Sequence, residues 1–276
     1  MNYKSIFEFE TILFIYKNFI TKNYQLLKSL ALLCVGPLLK LQWDQASPFN
    51  LFSPFHPVLG KTFPAGCAAV ATAQVMKYNR HPALVNSPNN HHFNWDNMPN
   101  NVDTLYSPPY SNYSTPYLIN HVAEAVNMKF TTIGSDMLSW AFPWDLENGI
   151  RSYGYTVTRT SHSDANVIAQ ICTYNRPVIM GGGTINLPNP LSYTGNGHYW
   201  VCDGYSNVSK SITYFMEFID TNTCTYYSHP YIYNTSNPFT SSQYCYIRFS
   251  MNWGWGGTHN GWFFDVNSGN GNFQYG

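Results

Sequence analysis

The pattern of apolar positions is most regular over residues 67–79, where it predicts a helix. Pro64-Ala65-Gly66 precedes this stretch and Asn79-Arg80-His81-Pro82 follows it, so residues that break helices stand at both ends. The small residues inside it are Ala68, Ala69, Ala71 and Ala73. Because small side chains let neighbouring elements approach closely, we predict a central helix that is buried on several sides.

Other stretches are amphipathic as well. Residues 117–128 and 144–153 predict two more helices, and the segment from Ile12 to Leu33 predicts a helix that packs on the domain. Residues 83–116 are rich in Pro and Asn, and they predict a long surface loop anchored by Trp95.

Beyond residue 176 the period changes to short aromatic or β-branched runs separated by Gly, Asn, Ser and Pro, which predict strands. These runs cover residues 177–180, 198–203, 212–219, 226–233, 244–251 and 261–266. At the end of the second run, Asp203-Gly204 is typical of a turn. Helices first and antiparallel strands afterwards, without βαβ alternation, predict an α+β fold.

Composition narrows the function classes. The 276 residues include 14 Lys+Arg and 14 Asp+Glu, and 10% are charged while 17% are aromatic. Such a chain is unlike disordered proteins, and the absence of a Lys/Arg cluster after residue 40 argues against nucleic acid as a partner. The longest apolar run, Leu30 to Val35, is far shorter than the roughly 20 residues of a membrane span. Few charges favour a secreted or cell-envelope protein.

The six cysteines are Cys34, Cys67, Cys172, Cys202, Cys224 and Cys245. No two of them have CxxC spacing, which argues against a structural zinc site and a thioredoxin-like motif. Cys224 and Cys245 flank a Tyr- and Ser-rich stretch, and they are the disulfide pair that we favour. A cysteine can instead be kept free as a reactive thiol, and its neighbouring residues indicate whether it has that role.

Three segments carry candidate chemistry. Cys67 opens the predicted central helix, where unpaired amides should lower the pKa of a thiol. His198 follows a glycine turn at the start of a strand, so it can reach into a cleft. Asn252 heads a loop with two tryptophans and four glycines, where it can hold an imidazole nitrogen. Taken singly, these are also compatible with a buried cysteine, a structural histidine, and an aromatic-packed turn or sugar platform.

Together they give a thiol on a helix, then an imidazole and a carboxamide on later strands, which is the order found in papain-like enzymes. The closer resemblance lies in five segments: Gly36-Pro37-Leu38-Leu39 through Trp43-Asp44-Gln45 to Pro48-Phe49-Asn50, Gly66-Cys67 to Tyr78, Phe93-Asn94-Trp95-Asp96, Gly197-His198 to Gly204, and Asn252-Trp253-Gly254-Trp255-Gly256-Gly257. From about residue 35 to the end, the chain resembles the streptopain family, secreted bacterial cysteine peptidases with a papain-like fold.

The resemblance implies roles for individual residues. Cys67 would be the nucleophile and His198 the general base, with Asn252 or the indoles of Trp253 and Trp255 orienting the imidazole. A side-chain donor to the oxyanion commonly stands six positions before the nucleophile, but that position is Lys61 here. Gln45 is our candidate instead.

The resemblance also implies a central Cys-bearing helix packed on an antiparallel β-sheet or barrel, protein or peptide substrates, and no metal or cofactor. An inhibitory prosegment or inhibitor protein is an expected partner. We interpret residues 1–34 as an N-terminal extension, a candidate remnant of a prosegment, and residues 35–276 as the peptidase domain. Residues 206–243 lengthen the connection from His198 to Asn252, and they predict an insertion.

Three other functions remain open on the sequence. A catalytically silent papain-like protein would use its cleft to bind a partner. A cell-wall amidase would cut peptidoglycan stem peptides with the same residue types. An extracellular sugar-binding protein would explain the aromatic residues but not a Gly-Cys pair at the start of a helix.

Overall fold

The protein is seen in a computed structural model that describes residues 34–82, 84–85, 91–101, 113–182, 197–212, 242–265 and 273–275. The helices in these ranges are α1 (Cys67–Asn79), α2 (Ser114–Ala125), α3 (Pro143–Ser152) and α4 (Asp164–Ile168), the last continuing as a π-helical turn over Ala169–Thr173. A short 3-10 turn covers Trp95–Asn97.

The first five strands in the described ranges are each two residues long: β1 (Cys34–Val35), β2 (Phe55–His56), β3 (Lys61–Thr62), β4 (Leu84–Val85) and β5 (His91–His92). They continue with β6 (Lys129–Ile133), β7 (Asp136–Trp140), β8 (Val178–Gly182), β9 (His198–Ile212), β10 (Ser242–Asn252), β11 (Gly261–Asp265) and β12 (Phe273–Tyr275).

Six of these strands form one sheet in the order β1-β9-β10-β11-β12, with β8 also paired to β9. β8 lies antiparallel to the start of β9, where Gly182 is opposite His198, and β1 lies antiparallel to β9 further along, where Val35 is opposite Tyr205. The pairs β2-β3, β4-β5 and β6-β7 form separate two-stranded sheets. The mixture of helices with antiparallel strands confirms the predicted α+β class.

Helix α1 is buried almost throughout, as predicted, and its bounds agree with the prediction. Its alanines are at most 2% exposed, and Val70 and Gln74 are completely buried. Arg80, the capping residue after the helix, adopts a left-handed conformation with φ 50°, and the backbone N–H groups at the cap donate to the carbonyls of Lys77 and Met76. Small side chains therefore let the helix carrying Cys67 sit at the centre of the core.

The other elements depart from the predictions at several places. Helix α2 begins at Ser114 rather than Tyr117, because Pro116 lies in its first turn, where the missing N–H costs nothing. Neither α4 nor the paired strands β2-β3, β4-β5 and β6-β7 are predicted by the sequence pattern, and β4-β5 lies within the stretch predicted to be a loop. The expected turn at Asp203-Gly204 is wrong, since β9 continues through both residues. A Cβ at Gly204 would lie 2.8 Å from Cβ of Ser250, so the glycine serves close packing within the sheet.

The chain divides into two compact units. One consists of Cys34–Ser206 with Arg248–Gly276, and it contains α1 and the start of β9. The other consists of Met1–Leu33 with Asn207–Ile247, of which the described residues are 207–212 and 242–247. The predicted helix from Ile12 to Leu33 and the favoured disulfide between Cys224 and Cys245 lie outside what is described. The extension over residues 1–34 and the insertion over 206–243 stay predictions.

Within the described ranges, no helix is long and apolar enough to cross a membrane.

Asp203 links β9 to the chain that precedes the central helix. Its carboxylate accepts a hydrogen bond from the Leu39 backbone N–H at 2.9 Å, and its backbone carbonyl accepts one from Leu38 at 2.8 Å. The side chain is 1% exposed. Burial raises the pKa of Asp203 from 3.8 to about 6, although the Ser250 hydroxyl and the Leu39 amide lower it in part.

This shift predicts a specific pH dependence of stability. Because the pKa of Asp203 is higher in the folded chain than in the unfolded chain, its contribution to folding is fully present below about pH 4 and is lost as the pH rises through about 6. The variant Asp203→Asn keeps a carbonyl acceptor and cannot titrate. Urea unfolding from pH 4 to 7 should show the wild type losing stability relative to this variant, by about 1.4 kcal/mol per pKa unit. Parallel curves for the two proteins would contradict the assignment.

Candidate active site

The backbone that leads into α1 is held from two sides. The Ala65 N–H donates to the Gln45 carbonyl at 2.8 Å, and the Ser139 hydroxyl of β7 donates to the Pro64 carbonyl at 2.6 Å. Gly66 follows with φ 95°, a backbone conformation that residues with a Cβ rarely adopt, and a Cβ there would also displace the terminal methyl of Met128. A side chain immediately before Cys67 would therefore be strained, and the two hydrogen bonds hold the start of the helix in position.

Cys67 is the first residue of α1 and is 8% exposed. Burial raises the pKa of its thiol, while hydrogen bonds with the backbone of Tyr199, Ala68 and Cys67 lower it by less. The expectation of a lowered pKa is thus wrong for the thiol taken alone, because removal from water outweighs the amides at the helix start. The contact with the Tyr199 backbone places the sulfur beside the residue that follows His198.

His198 begins β9 and is half-buried. Its Nε2 lies 2.8 Å from the Trp253 carbonyl oxygen. A carbonyl only accepts hydrogen bonds, so Nε2 carries the proton in the neutral ring and Nδ1 is left with the lone pair. Burial lowers the pKa of His198, and the Trp253 carbonyl raises it in part. Neutral imidazole with a free Nδ1 is the form that can accept a proton from a thiol.

Three indole rings surround the imidazole. The centroid of the Trp255 ring is 4.8 Å from that of His198, and Trp253 and Trp200 lie at 6.1 Å and 6.3 Å. Trp200 is two residues after His198, so both side chains leave the same face of β9. Its ring also packs on Trp253 at 4.9 Å. These rings cover part of the hydrogen bond between His198 and the Trp253 carbonyl, which is part-buried.

The carboxamide of Asn252 does not contact the imidazole directly. Its Nδ2 donates to the Leu41 carbonyl at 2.7 Å, and its Oδ1 accepts from the Gly254 N–H at 3.1 Å. That N–H belongs to the same peptide group as the Trp253 carbonyl, which accepts from His198. Asn252 and His198 are therefore connected through one peptide group.

The loop from Trp253 to Asn260, which we call the Trp-Gly-Trp loop, rests directly on α1. A Cβ at Gly254 would lie 3.1 Å from Cγ1 of Val70, and Gly254 has φ 68°. The Gly256 N–H donates to the Trp43 carbonyl at 3.1 Å. Glycine at 254 allows the backbone of the loop to pack closely against α1, and this close contact fixes the distance between the loop and the helix.

Gln45 and Lys61 differ in their relation to Cys67. The backbone of Gln45 is bonded to Ala65, two residues before Cys67, and its side chain is half-buried. Lys61 is exposed and pairs with His56 in the β2-β3 hairpin. The described contacts thus bring the backbone of Gln45 to the helix entry.

Two parts of this arrangement escaped sequence reasoning. A backbone carbonyl as the partner of His198 leaves no signature in residue types. The position of Trp200 could have been predicted, since the alternation of side chains along a strand places it on the same face as His198. No group of three or more His, Cys, Asp or Glu side chains that could hold a metal ion occurs in the part of the chain that is described.

Residues 43–263 match the sequence profile of the Peptidase C10 family. The chain is 24% identical over 248 residues to the thiol protease/hemagglutinin PrtT of Porphyromonas gingivalis, an alignment that covers 80% of this chain. The chain spans only 22% of that relative's length.

Two solved structures from Prevotella intermedia have a similar fold. Active wild-type interpain A cysteine protease is 24% identical with a TM-score of 0.54, covering 87% of this chain and 90% of that one. A prointerpain A fragment is 23% identical with a TM-score of 0.52, covering 83% of this chain and 64% of that one. These neighbours confirm the predicted papain-like fold with a Cys-bearing helix. Because the family profile covers most of the chain, this protein belongs to the Peptidase C10 family, the streptopain family that its motifs resemble.

Proposed function

We propose that this chain is a cysteine endopeptidase that hydrolyses peptide bonds through a Cys67 acyl-enzyme. The observation that carries the proposal is made where α1 meets β9. There the Cys67 sulfur contacts the backbone of Tyr199, the residue after His198. Nε2 of His198 is at the same time hydrogen-bonded to the Trp253 carbonyl. A nucleophile and an oriented base at one site are what acyl transfer requires.

The proposed reaction begins with transfer of the thiol proton from Cys67 to Nδ1 of His198 as the sulfur bonds to the substrate carbonyl carbon. The tetrahedral oxyanion collapses, the C–N bond breaks, and the amine leaves with the proton from Nδ1. Water then attacks the thioester, gives a proton to Nδ1, and the C–S bond breaks as that proton returns to the sulfur. No metal or cofactor takes part in these steps.

The backbone around the start of α1 also suggests which groups donate hydrogen bonds to the oxyanion. The Cys67 N–H at the start of α1 is one candidate. We assign the second donor to the side chain of Gln45, supported by the bond between the Gln45 carbonyl and Ala65 that brings this residue to the helix entry. Lys61, in an exposed hairpin, is the less suitable position.

Asn252 acts in this proposal through the peptide group that joins Trp253 to Gly254, and the indoles of Trp253 and Trp255 cover the imidazole. The resemblance of the chain to a family of secreted enzymes supports protein or peptide substrates with a hydrophobic residue two positions before the scissile bond. It also supports a secreted or cell-envelope location and restraint by a prosegment or an inhibitor protein.

Hydrolysis of casein by the reduced protein tests the activity. The wild type should cleave casein, and Cys67→Ala should not. His198→Ala should lower the rate by about 10²–10⁴-fold, the usual contribution of general acid-base catalysis. Cys172→Ala is a matched control, because it removes an exposed thiol outside the site and should leave the rate unchanged.

The other functions give different results in the same assay. Absence of cleavage by reduced wild type, with a folded chain, would replace the peptidase with a silent binding protein. Cleavage of cell-wall peptides but not casein would indicate an amidase. A rate in His198→Ala equal to that of the wild type would contradict the proposed pairing of Cys67 with His198.

The protonation states of the pair make a separate prediction. In Cys67→Ala, where no thiol is coupled to the imidazole, His198 should titrate below 6.5, because burial outweighs the Trp253 carbonyl. Since the folded pKa is lowered, protonation of His198 should destabilise the fold as the pH falls below 6.5. NMR titration of the ring protons measures the pKa, and a value above 6.5 would contradict the burial argument.

A further inference from the structure

We propose that Asn260, at the far end of the Trp-Gly-Trp loop, is a positioning residue for His198 that acts through the backbone of Trp253. The Trp253 N–H donates to Oδ1 of Asn260 at 3.0 Å. This inference rests on the proposed function, since the imidazole that it orients is the proposed general base.

The geometry of the hairpin brings Asn260 to this place. The last register pair between β10 and β11 is Met251 opposite Gly261. One step further, Asn252 and Asn260 stand opposite each other at the mouth of the hairpin. Each presents a carboxamide oxygen to one of two successive backbone amides, those of Gly254 and Trp253.

These two bonds control the direction of one carbonyl. The direction of the Trp253 C=O is set by the two backbone dihedrals of that residue. Asn260 fixes the amide before the Cα atom of Trp253 and therefore restrains φ, while Asn252 fixes the amide after it and restrains ψ. With both restrained, the carbonyl oxygen stays at 2.8 Å from Nε2 of His198.

The loop needs this restraint because its own sequence is permissive. Gly254, Gly256 and Gly257 all have positive φ, and His259 does as well with φ 61°. Glycines allow many alternative conformations, so the chain alone does not specify where the carbonyl points. The side chain of Asn260 closes the loop between its two ends, and its own N–H is held by the Gly257 carbonyl at 3.2 Å.

The packing of the Trp253 ring is consistent with this role of Asn260. The ring of Trp253 lies between Trp200 at 4.9 Å and Phe263 at 5.4 Å. These contacts hold the side chain of Trp253, but the peptide group can still rotate about the Cα atom. The bond from Asn260 removes that freedom, which is why a hydrogen-bonding side chain is needed beyond the apolar contacts.

The test uses Asn260→Ala and Asn260→Asp, with Asn94→Ala as a matched control. Asn94 also accepts from a backbone amide, that of Asn97, in a turn that makes none of the described contacts with His198 or Trp253. In the Cys67→Ala background, the Nε2–H proton resonance of His198 should move upfield or exchange rapidly in Asn260→Ala. Asn260→Asp retains an acceptor oxygen and should restore the resonance, whereas Asn94→Ala should not change it.

With Cys67 intact, Asn260→Ala should lower kcat for a peptide substrate at least tenfold and leave KM within about twofold, because the substrate contacts are unaffected. Asn260→Asp should recover most of kcat. If Asn260→Ala does not fold, Asn260→Ser replaces it, since a serine hydroxyl is too short to span the same gap.

An unchanged Nε2–H resonance in Asn260→Ala, or a kcat equal to that of Asn94→Ala, would overturn the inference. The NMR measurement requires no turnover, so it separates the two proposals. Failure of the proposed function would appear as wild type that does not cleave casein, while failure of this inference would appear as an unaffected imidazole in an active enzyme.

Discussion

The arrangement of the site depends on one short segment, residues 41–45, in which alternate backbone carbonyls accept hydrogen bonds from the end of β10, from the Trp-Gly-Trp loop and from the entry of α1. The Leu41 carbonyl accepts from Asn252, the Trp43 carbonyl from Gly256, and the Gln45 carbonyl from Ala65. A single short segment therefore connects the Trp-Gly-Trp loop with the entry of α1. The completely buried Trp43 ring anchors it.

Burial holds the side chains of this site in fixed positions, and it also opposes ionisation of the Cys67 thiol and the His198 imidazole. The same removal from water that fixes Cys67 and His198 raises the pKa of the thiol and lowers that of the imidazole, so each group alone favours its neutral form. In the proposed mechanism, the proton therefore moves as the sulfur attacks, and the fixed tautomer of His198 leaves Nδ1 available to receive it. An oriented carbonyl is valuable here because it stabilises the imidazolium at a half-buried position, where fewer water molecules can do so.

Sequence alone was sufficient for features that depend on residue type and period, and insufficient for those that depend on backbone contacts. The bounds of α1 followed from its breakers and alanines, and the family motifs identified Cys67 and His198 as candidates. The Trp253 carbonyl had no signature, because every residue has one. The glycine at 204 was taken for a turn, although it serves close packing against Ser250, which only the neighbouring strand reveals. The direction of the Cys67 pKa shift also required knowledge of burial.

The central claim is that a buried thiol is the reactive one because His198 activates it. The most direct measurement is to treat the reduced protein with an epoxide inhibitor of cysteine peptidases and to locate the adduct by mass spectrometry. The account predicts an adduct on Cys67, which is 8% exposed, in preference to the exposed Cys172, and its loss in His198→Ala. An adduct found mainly on Cys172, or equal labelling of Cys67 in His198→Ala, would contradict it.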